Sequence, residues 1–172
     1  MFESLKKLFK TTNDTFNEEN MKPFEGIFHL QKFKDGELTY EHKSKNLIVN
    51  DGFVILATLL SSADTTKRIT KLALGKEGIV DNRFIYPYKT DKTIRSETYR
   101  HSGCEYIINP TKKEIEFKFT IDKTQGNGPG ARLYNEAGLM ADDGTLMSRK
   151  VFPECVKTPE EIMIIRWVLV WK

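Results

Sequence analysis

The stretch Arg132-Leu-Tyr-Asn-Glu-Ala-Gly-Leu-Met140, followed by Asp142-Asp-Gly144 and Thr145-Leu-Met-Ser-Arg-Lys-Val-Phe152, decides the fold class. Two apolar segments that flank an Asp-Asp-Gly turn predict a β-hairpin. The chain then ends on Ile162-Met-Ile-Ile-Arg-Trp-Val-Leu-Val-Trp171, which is β-branched and aromatic over ten residues and predicts a strand. Together these segments predict a protein built from antiparallel strands.

The segments upstream of this hairpin extend the same pattern. Gly26–Phe33 and Leu38–His42 flank the turn Lys34-Asp-Gly-Glu37, which predicts another hairpin. Ser96–Ile108 and Lys113–Asp122 predict a third, and its second strand alternates apolar with polar side chains. The residues predicted to face inward on that strand are Ile115, Phe117, Phe119 and Ile121.

One helix is predicted among these strands. Asn50 and Asp51 favour a helix N-cap, and Gly52–Leu60 is apolar almost all round. A helix of that composition is expected to be buried or to plug the end of a sheet assembly. The sequence therefore predicts a mainly β protein: an antiparallel β-sandwich or flattened barrel with one short buried helix and an N-terminal amphipathic helical arm.

A long stretch without periodicity interrupts the strands. Ile69–Gly75 predicts a central strand, and residues 76–94 follow it without a clear pattern, including Tyr86-Pro-Tyr88. A loop of that length inside a compact domain is usually functional or ordered by a neighbouring element.

Residues 1–22 are predicted to form the amphipathic arm and its linker, and residues 23–172 the β-sandwich domain. The arm can fold back onto its own domain, dock on a partner protein or lie on a membrane surface. We predict docking on a partner, because the polar segment Thr11–Asn20 gives the arm a reach of up to about 33 Å. The residues predicted to bind partners are Phe2, Leu5, Leu8, Phe9 and Trp171.

The last strand is apolar on both alternating faces along Ile162–Trp171. A strand with no wet face is either central under the helix or covered by another subunit. We expect a mixture of both, and hence a homo-oligomer.

Composition is ordinary for a soluble globular domain: 172 residues, 39% hydrophobic and 30% charged. A net charge of +3 does not call for a nucleic-acid partner, and none is expected. Phe53–Leu60 is about half the length of a membrane span, and the start resembles no signal peptide, so no membrane partner is expected. Cys104 and Cys155 fit no zinc spacing and are expected to be buried free thiols.

Each motif with catalytic potential lacks a necessary part. Gly126–Gly130 lacks the Gly-Lys-Ser/Thr of a phosphate-binding loop, and no Gly-x-Ser-x-Gly elbow is present. The histidines stand singly, without a second ligand at helical or strand spacing; they are His29, His42 and His101. We therefore predict no catalytic residue, no metal site and no cofactor.

Glu136 is the charged residue that most needs an explanation. It lies in a strand predicted to be internal, where an unpaired charge is very costly. Arg149, across the Asp142-Asp-Gly144 turn, is at about the right register for a cross-strand partner. The sequence predicts a structural ion pair between Glu136 and Arg149 that pins the hairpin.

Six short motifs occur here in a particular order along the chain: Asn46–Gly52, Ile69–Gly75, Glu136-Ala-Gly-Leu139, Ser148-Arg-Lys-Val-Phe152, Lys157-Thr158 and Trp167–Trp171. In that order they resemble a group of tailed-bacteriophage virion proteins found in tail-fibre, collar and baseplate contexts. The resemblance covers about residues 45–172. The arm and the long stretch after Gly75 depart from the group's pattern, and this favours a small accessory piece.

The resemblance implies a non-enzymatic structural component of a virion, made in the host cytoplasm and contacting other virion proteins. A tail, collar or baseplate adaptor and a capsid-decorating protein are the two forms it suggests, with a trimer as one oligomer that fits. The competing interpretation is a carbohydrate-binding β-sandwich with Tyr86, Tyr88 and Tyr99 as a stacking platform. An unrecognised hydrolase is the third.

Overall fold

The computed structural model describes residues 24–61 and 64–171. Within these ranges the protein is mainly β, with one α-helix, α1 (Asn50–Ser61), and a short 3-10 turn at Thr65–Lys67. The strands in chain order are β1 (Phe24–Lys34), β2 (Glu37–Ile48), β3 (Ile69–Gly75), β4 (Ile79–Val80), β5 (Arg83–Phe84), β6 (Glu97–Ser102), β7 (Cys104–Asn109), β8 (Glu114–Ile121), β9 (Arg132–Ala141), β10 (Leu146–Lys157) and β11 (Glu161–Trp171).

Nine of these strands form one antiparallel sheet in the order β6-β3-β9-β10-β2-β1-β11-β8-β7. We call β2, β1, β11, β8 and β7 the front sheet, and β6, β3, β9 and β10 the back sheet. The two are joined by only two residue pairs between β2 and β10. Because β6 and β7 are separated by Gly103 alone, the two ends of the sheet are continuous in the chain, and the sheet is nearly closed like a barrel.

The main core lies between the front and back sheets. Phe28 on β1 packs edge-on against Trp167 on β11 at 5.0 Å and stacks on Phe152 of β10 at 5.3 Å, both measured between ring centroids. All three side chains are fully buried. On β8 the predicted inward-facing side chains Phe117 and Phe119 are buried in the same core, together with Ile121.

The predicted turns form, but one predicted strand divides. Asp35 and Gly36 both have positive φ in the β1–β2 turn, as a two-residue hairpin turn requires. The prediction of one hairpin strand over Ser96–Ile108 holds for the part that forms β7, which pairs with β8, and is wrong for the part before Gly103. The chain bends at Gly103, where φ is +143°, so that β6 pairs with β3 and β7 pairs with β8.

The prediction of a buried helix is also wrong. Only Gly52 and Ile55 of α1 are buried, and the helix packs on β10 with Ile55 and, beside it, Leu56 directed into the main core. Its other side chains are exposed or half-buried, so the helix covers the core with one side and is not enclosed by it. Gly52 permits the contact, because a Cβ at this position would lie 2.3 Å from the carbonyl oxygen of Met147.

The last strand is central, but not under the helix. β11 lies between β1 and β8 in the front sheet, whereas α1 packs on β10 in the back sheet. The inward face of β11, from Met163 to Leu169, is buried, and its outward face is half-buried. The expectation that the helix covers this strand is therefore corrected.

The arm predicted over residues 1–22, with its residues Phe2, Leu5, Leu8 and Phe9, lies outside the described residues. In the part of the chain that is described, no helix is both long enough and apolar enough to cross a bilayer.

Candidate functional site: apolar patches held by a buried ion-pair cluster

The long stretch after β3 covers the outer face of the back sheet. Residues 76–96 contain the small β4–β5 hairpin and pass over β9, where the backbone N–H of Gly78 donates to Asn135 Oδ1 at 2.8 Å. Farther along, Ile94 is buried with Met140 and Leu146 in a second small core. This loop explains why β9 is buried on both faces from its third residue onward.

A buried cluster of charges ties this loop to the sheet. Arg149 Nε donates to Glu136 Oε2 at 2.8 Å, and Arg149 Nη1 donates to Asp91 Oδ2 at 2.7 Å. The other carboxylate oxygen of Glu136 accepts the backbone N–H of Arg95 at 2.9 Å. Asp91 also accepts the backbone N–H of Tyr88 at 2.9 Å. Two carboxylates on two different segments therefore share one guanidinium.

The structure brings together the two residues that the sequence paired, Glu136 and Arg149. They are diagonal neighbours and not direct partners, because Arg149 lies opposite Gly138 and Glu136 lies opposite Val151. Glu136 is 0% exposed and Arg149 is 2% exposed. Since both carboxylate oxygens of Glu136 already accept hydrogen bonds from the protein, the geometry is that of a structural pin.

Helix α1 is joined to the same loop. The backbone N–H of Asn50 donates to the carbonyl oxygen of Lys89 at 2.8 Å, and Lys92 Nζ lies 2.5 Å from Asp51 Oδ1. The lysine is largely exposed, so this ion pair adds little stability. The backbone bond and the close packing of Gly52 on β10 fix where the helix begins.

These two elements expose apolar side chains on the outside of the protein. On α1 we define a helix patch of Phe53, Val54 and Leu60, of which Leu60 is 88% exposed. The one charged side chain of the helix is Asp51, which is paired with Lys92 of the loop, and none follows it. Phe53 and Leu60 are seven residues apart and so lie on nearly the same side of the helix, with Val54 about 100° round from Phe53. Exposed apolar side chains on one element can mark an interaction site.

The loop carries an aromatic patch, which we define as Phe84, Tyr86 and Tyr88. Tyr86 is 70% and Tyr88 is 67% exposed. The rings of Phe84 and Tyr86 are nearly parallel, with centroids 6.0 Å apart and an angle of 18° between their planes. Flat rings presented to solvent in this way can stack on a sugar or on another aromatic group.

Two sequence-predicted residues lie elsewhere. Tyr99 is half-buried on β6 against the main core, with its hydroxyl 3.2 Å from His101 Nδ1, so it does not join Tyr86 and Tyr88 in one platform. Trp171 ends β11 in the front sheet, 39% exposed, and packs edge-on against Phe24 at 5.4 Å between ring centroids.

Sequence reasoning missed Asp91, the third member of the ion-pair cluster. It is 58 residues from Arg149 in the chain and lies in the stretch without periodicity. The only signal was the length of that stretch, which indicated a loop ordered by a neighbour.

The remaining reactive side chains are placed as follows. Burial raises the pKa of Cys155 and of Cys104 to about 12, so both free thiols are protonated and poorly nucleophilic at neutral pH. Cys155 is buried as predicted, whereas Cys104 is only half-buried. On β2, Ser44 Oγ lies 2.9 Å from His42 Nε2, and burial lowers the pKa of that histidine.

The His42 ring lies 6.4 Å from the ring of Phe28 and 6.3 Å from that of Phe152, so this Ser–His contact is packed among core aromatic side chains. Among the described residues, no three His, Cys, Asp or Glu side chains are grouped so that they could hold a metal ion.

Comparison with protein-family models, with curated proteins and with solved structures finds no match to this chain.

Proposed function

We propose that the protein is a non-enzymatic structural component of a bacteriophage virion: a tail, collar or baseplate adaptor, or a protein that decorates the capsid. It assembles with other virion proteins through its N-terminal arm, its sheet edges and the helix patch. The order of the six sequence motifs, from Asn46–Gly52 to Trp167–Trp171, supports the virion setting. The exposed helix patch is the observation that carries the assembly role.

The helix patch favours contact with another protein for an energetic reason. Fully burying a Val, Leu or Phe side chain is worth about 1.5–3 kcal/mol relative to leaving it in water. Leu60 is almost entirely exposed and Val54 is 58% exposed, so a partner that covers them recovers much of that free energy. The partner's own surface is expected to be apolar, since the patch carries no charge.

The ion-pair cluster supports the same role by holding the patch in place. Arg149 fixes the loop through Asp91, and the loop fixes the start of α1 through the Asn50–Lys89 backbone bond. A contact surface that is already ordered loses less conformational entropy on binding than a mobile one. The cluster therefore acts as a support for the contact.

Co-sedimentation with purified particles tests the assembly role. We expect the full chain to pellet with the particles, and Val54→Glu or Leu60→Glu to stay in the supernatant with an unchanged melting temperature. Leu38→Glu is the matched control, because Leu38 is a 49% exposed leucine outside α1, at the start of β2. Equal pelleting of all variants would remove the helix patch from the proposal, and a full chain that does not pellet would overturn the virion role.

The predicted arm is tested in the same assay. Deleting residues 1–20 is expected to abolish pelleting while leaving the melting temperature almost unchanged. A large drop in melting temperature would instead assign the segment to the core of its own domain.

A carbohydrate-binding β-sandwich is the second candidate, and the exposed aromatic patch favours it. Tyr86 and Phe84 would form the stacking surface, without Tyr99. A glycan array in which the full chain binds and Tyr86→Ala does not would support this candidate. Leu38→Ala is the control, because Leu38 is 49% exposed but lies on β2, away from the loop and from β7. Absence of binding to every glycan would count against it.

A further inference from the structure

Strand β7 is an edge of the sheet that the described residues form. It pairs with β8 on one side and is the last strand in the sheet order, so its other side has no strand partner among the described residues. Its side chains are unusually apolar for an edge: Tyr106 is 67%, Ile107 59% and Ile108 65% exposed. An exposed, apolar edge is a template for pairing with another strand.

The usual protections against such pairing are missing from β7. Proteins blunt edge strands with lysine, proline or a β-bulge. The sequence Cys104-Glu-Tyr-Ile-Ile-Asn109 contains neither lysine nor proline. Its register with β8 runs without interruption from Cys104 opposite Phe119 to Asn109 opposite Glu114, so no bulge turns the edge away.

We propose that two copies of this chain form a dimer in which their β7 strands pair antiparallel. The two-fold axis lies between the two copies of Ile107. The inference deepens the proposed assembly through sheet edges and rests on that proposal only for its biological setting. The two front sheets then form one continuous sheet, with the β7 strands of both copies at its centre.

The self-complementary sequence of β7 argues for a second copy as the occupant. A two-fold axis perpendicular to the sheet leaves each side chain on the face where it already lies. Residues directly opposite each other in antiparallel strands point to the same face, whereas neighbours along a strand point to opposite faces. The axis must therefore lie between the two copies of one residue, so that this residue is opposite itself. With the axis at Ile107, this residue lies opposite itself and Tyr106 lies opposite Ile108, a favourable aromatic and β-branched pair. Glu105 then lies opposite Asn109, which can donate to the carboxylate.

The neighbouring registers are worse for identifiable reasons. An axis at Glu105 would place two carboxylates opposite each other, which is destabilising. An axis at Tyr106 would place Glu105 opposite Ile107. An axis at Ile108 would leave only Ile107–Asn109 paired within β7, because Tyr106 would lie opposite Pro110, which has no N–H to donate. With the axis at Ile107, five residues pair before Pro110 is reached, opposite Cys104.

Charge also permits the contact. Glu105 is the one acidic side chain within β7, and its carboxylate already lies 2.9 Å from Lys118 Nζ on β8 of the same chain. Pairing at Ile107 therefore brings no uncompensated charge into the joined sheet. The strands are short, so we expect a dissociation constant in the micromolar range.

The test is the mass of the full chain in solution. Light scattering coupled to gel filtration should show a twofold rise in mass as the protein concentration increases to about 100 μM, well above a micromolar dissociation constant. Ile107→Lys should remain a monomer with an unchanged melting temperature, because this side chain lies in solvent in the single copy. Val80→Lys, an exposed apolar residue on β4, is the control and should still dimerise.

Cross-linking tests the register. In a Cys104→Ser, Cys155→Ala background, the Ile107→Cys variant should form a disulfide-linked dimer when a mild thiol oxidant is added. Glu105→Cys should not, because its counterpart in the pair is Asn109. Cross-linking at position 105 and not at 107 would overturn the register.

Three results would overturn the pairing itself. The first is a strict monomer at about 100 μM, a concentration well above a micromolar dissociation constant. The second is a dimer that persists in Ile107→Lys. The third is dimerisation that occurs only after residues 1–20 are deleted. The last would show that the chain's own N-terminal segment occupies the edge. Because this assay uses no particles, its failure leaves the co-sedimentation result standing, and the reverse also holds.

Discussion

Replacing Glu136 with glutamine removes one charge from the buried cluster and keeps the shape of the side chain. Four N–H groups converge on the two oxygens of Glu136: Nε and Nη2 of Arg149, and the backbone N–H groups of Arg95 and Ser96. An amide has a single oxygen, so its NH2 group must face one of these two pairs of donors. Either orientation leaves N–H groups facing N–H groups in a buried place.

The expected cost follows from these contacts. Breaking a buried ion pair by removing one partner costs about 3–5 kcal/mol. Arg149 keeps Asp91 at 2.7 Å in the variant, so the guanidinium is not left alone. We therefore expect the lower end, roughly 3 kcal/mol. For a domain of this size that corresponds to a fall in melting temperature of about 6–12 °C.

Urea unfolding and thermal melts measure the cost, and hydrogen exchange locates it. The backbone amides of Arg95 and Ser96 are protected by Glu136 in the native protein, so their exchange should accelerate in Glu136→Gln. Arg149→Met should destabilise to a similar degree, because it leaves a buried carboxylate without its cation. Asp91→Asn should cost less, because the Asp91 side chain is 20% exposed.

A double-mutant cycle supplies the control. If Glu136 and Arg149 act as a unit, the double variant Glu136→Gln/Arg149→Met should lose much less stability than the sum of the two single losses. Melts of both single variants within 1 °C or so of the parent protein would refute the reasoning, and the buried carboxylate would then need another explanation.

Two further predictions concern the helix and the thiols. Gly52→Ala should lower the free energy of unfolding by about 1–3 kcal/mol, because the added Cβ would lie 2.3 Å from the carbonyl oxygen of Met147. An unchanged midpoint of urea unfolding would contradict the observed position of the helix. Burial raises the pKa of Cys155 to about 12 from its ordinary 9.0, so the folded protein keeps the thiol proton that the unfolded chain loses. That contribution to stability is complete below pH 9 and is lost as the pH rises toward 12. The free energy of unfolding should therefore fall less steeply in Cys155→Ala than in the parent protein between about pH 9 and 11.

Local chemistry made the hairpins predictable. Asp35-Gly36 and Asp142-Asp-Gly144 are turn sequences, and the backbone conformation of a turn is decided by the few residues that form it. The structure has positive φ at both glycines. The alternation on β8 was readable for the same reason, because the inward and outward faces follow from a period of two. Such features depend little on where the rest of the chain lies.

The bend at Gly103 and the place of α1 depended on distant segments. Ser96–Ile108 has strand-forming residues throughout, but which neighbour each half pairs with is decided by β3 and β8. Helix α1 is apolar almost all round, yet only Ile55, with Leu56 beside it, packs into the main core. Composition alone could not show which side of the helix would face the core.

The same distinction applies to the ion-pair cluster. Glu136 and Arg149 lie 13 residues apart in one hairpin, so the register across the turn was sufficient to pair them. Asp91 lies in a loop that crosses the back sheet, and no local sequence pattern predicts the path of that loop. A buried cation that serves two segments cannot be inferred from the hairpin alone, since one carboxylate already satisfies the charge balance.

The two proposed contacts are compatible in one assembly. Helix α1, which carries the helix patch, packs on β10, and four strands separate β10 from β7 along the front sheet. Pairing through β7 therefore leaves the helix patch of each copy free. A dimer would present two helix patches in a fixed relation, and binding of the first would raise the effective concentration of the second. If both proposals hold, Ile107→Lys should weaken pelleting with particles without abolishing it, whereas Leu60→Glu should abolish pelleting and leave the dimer intact.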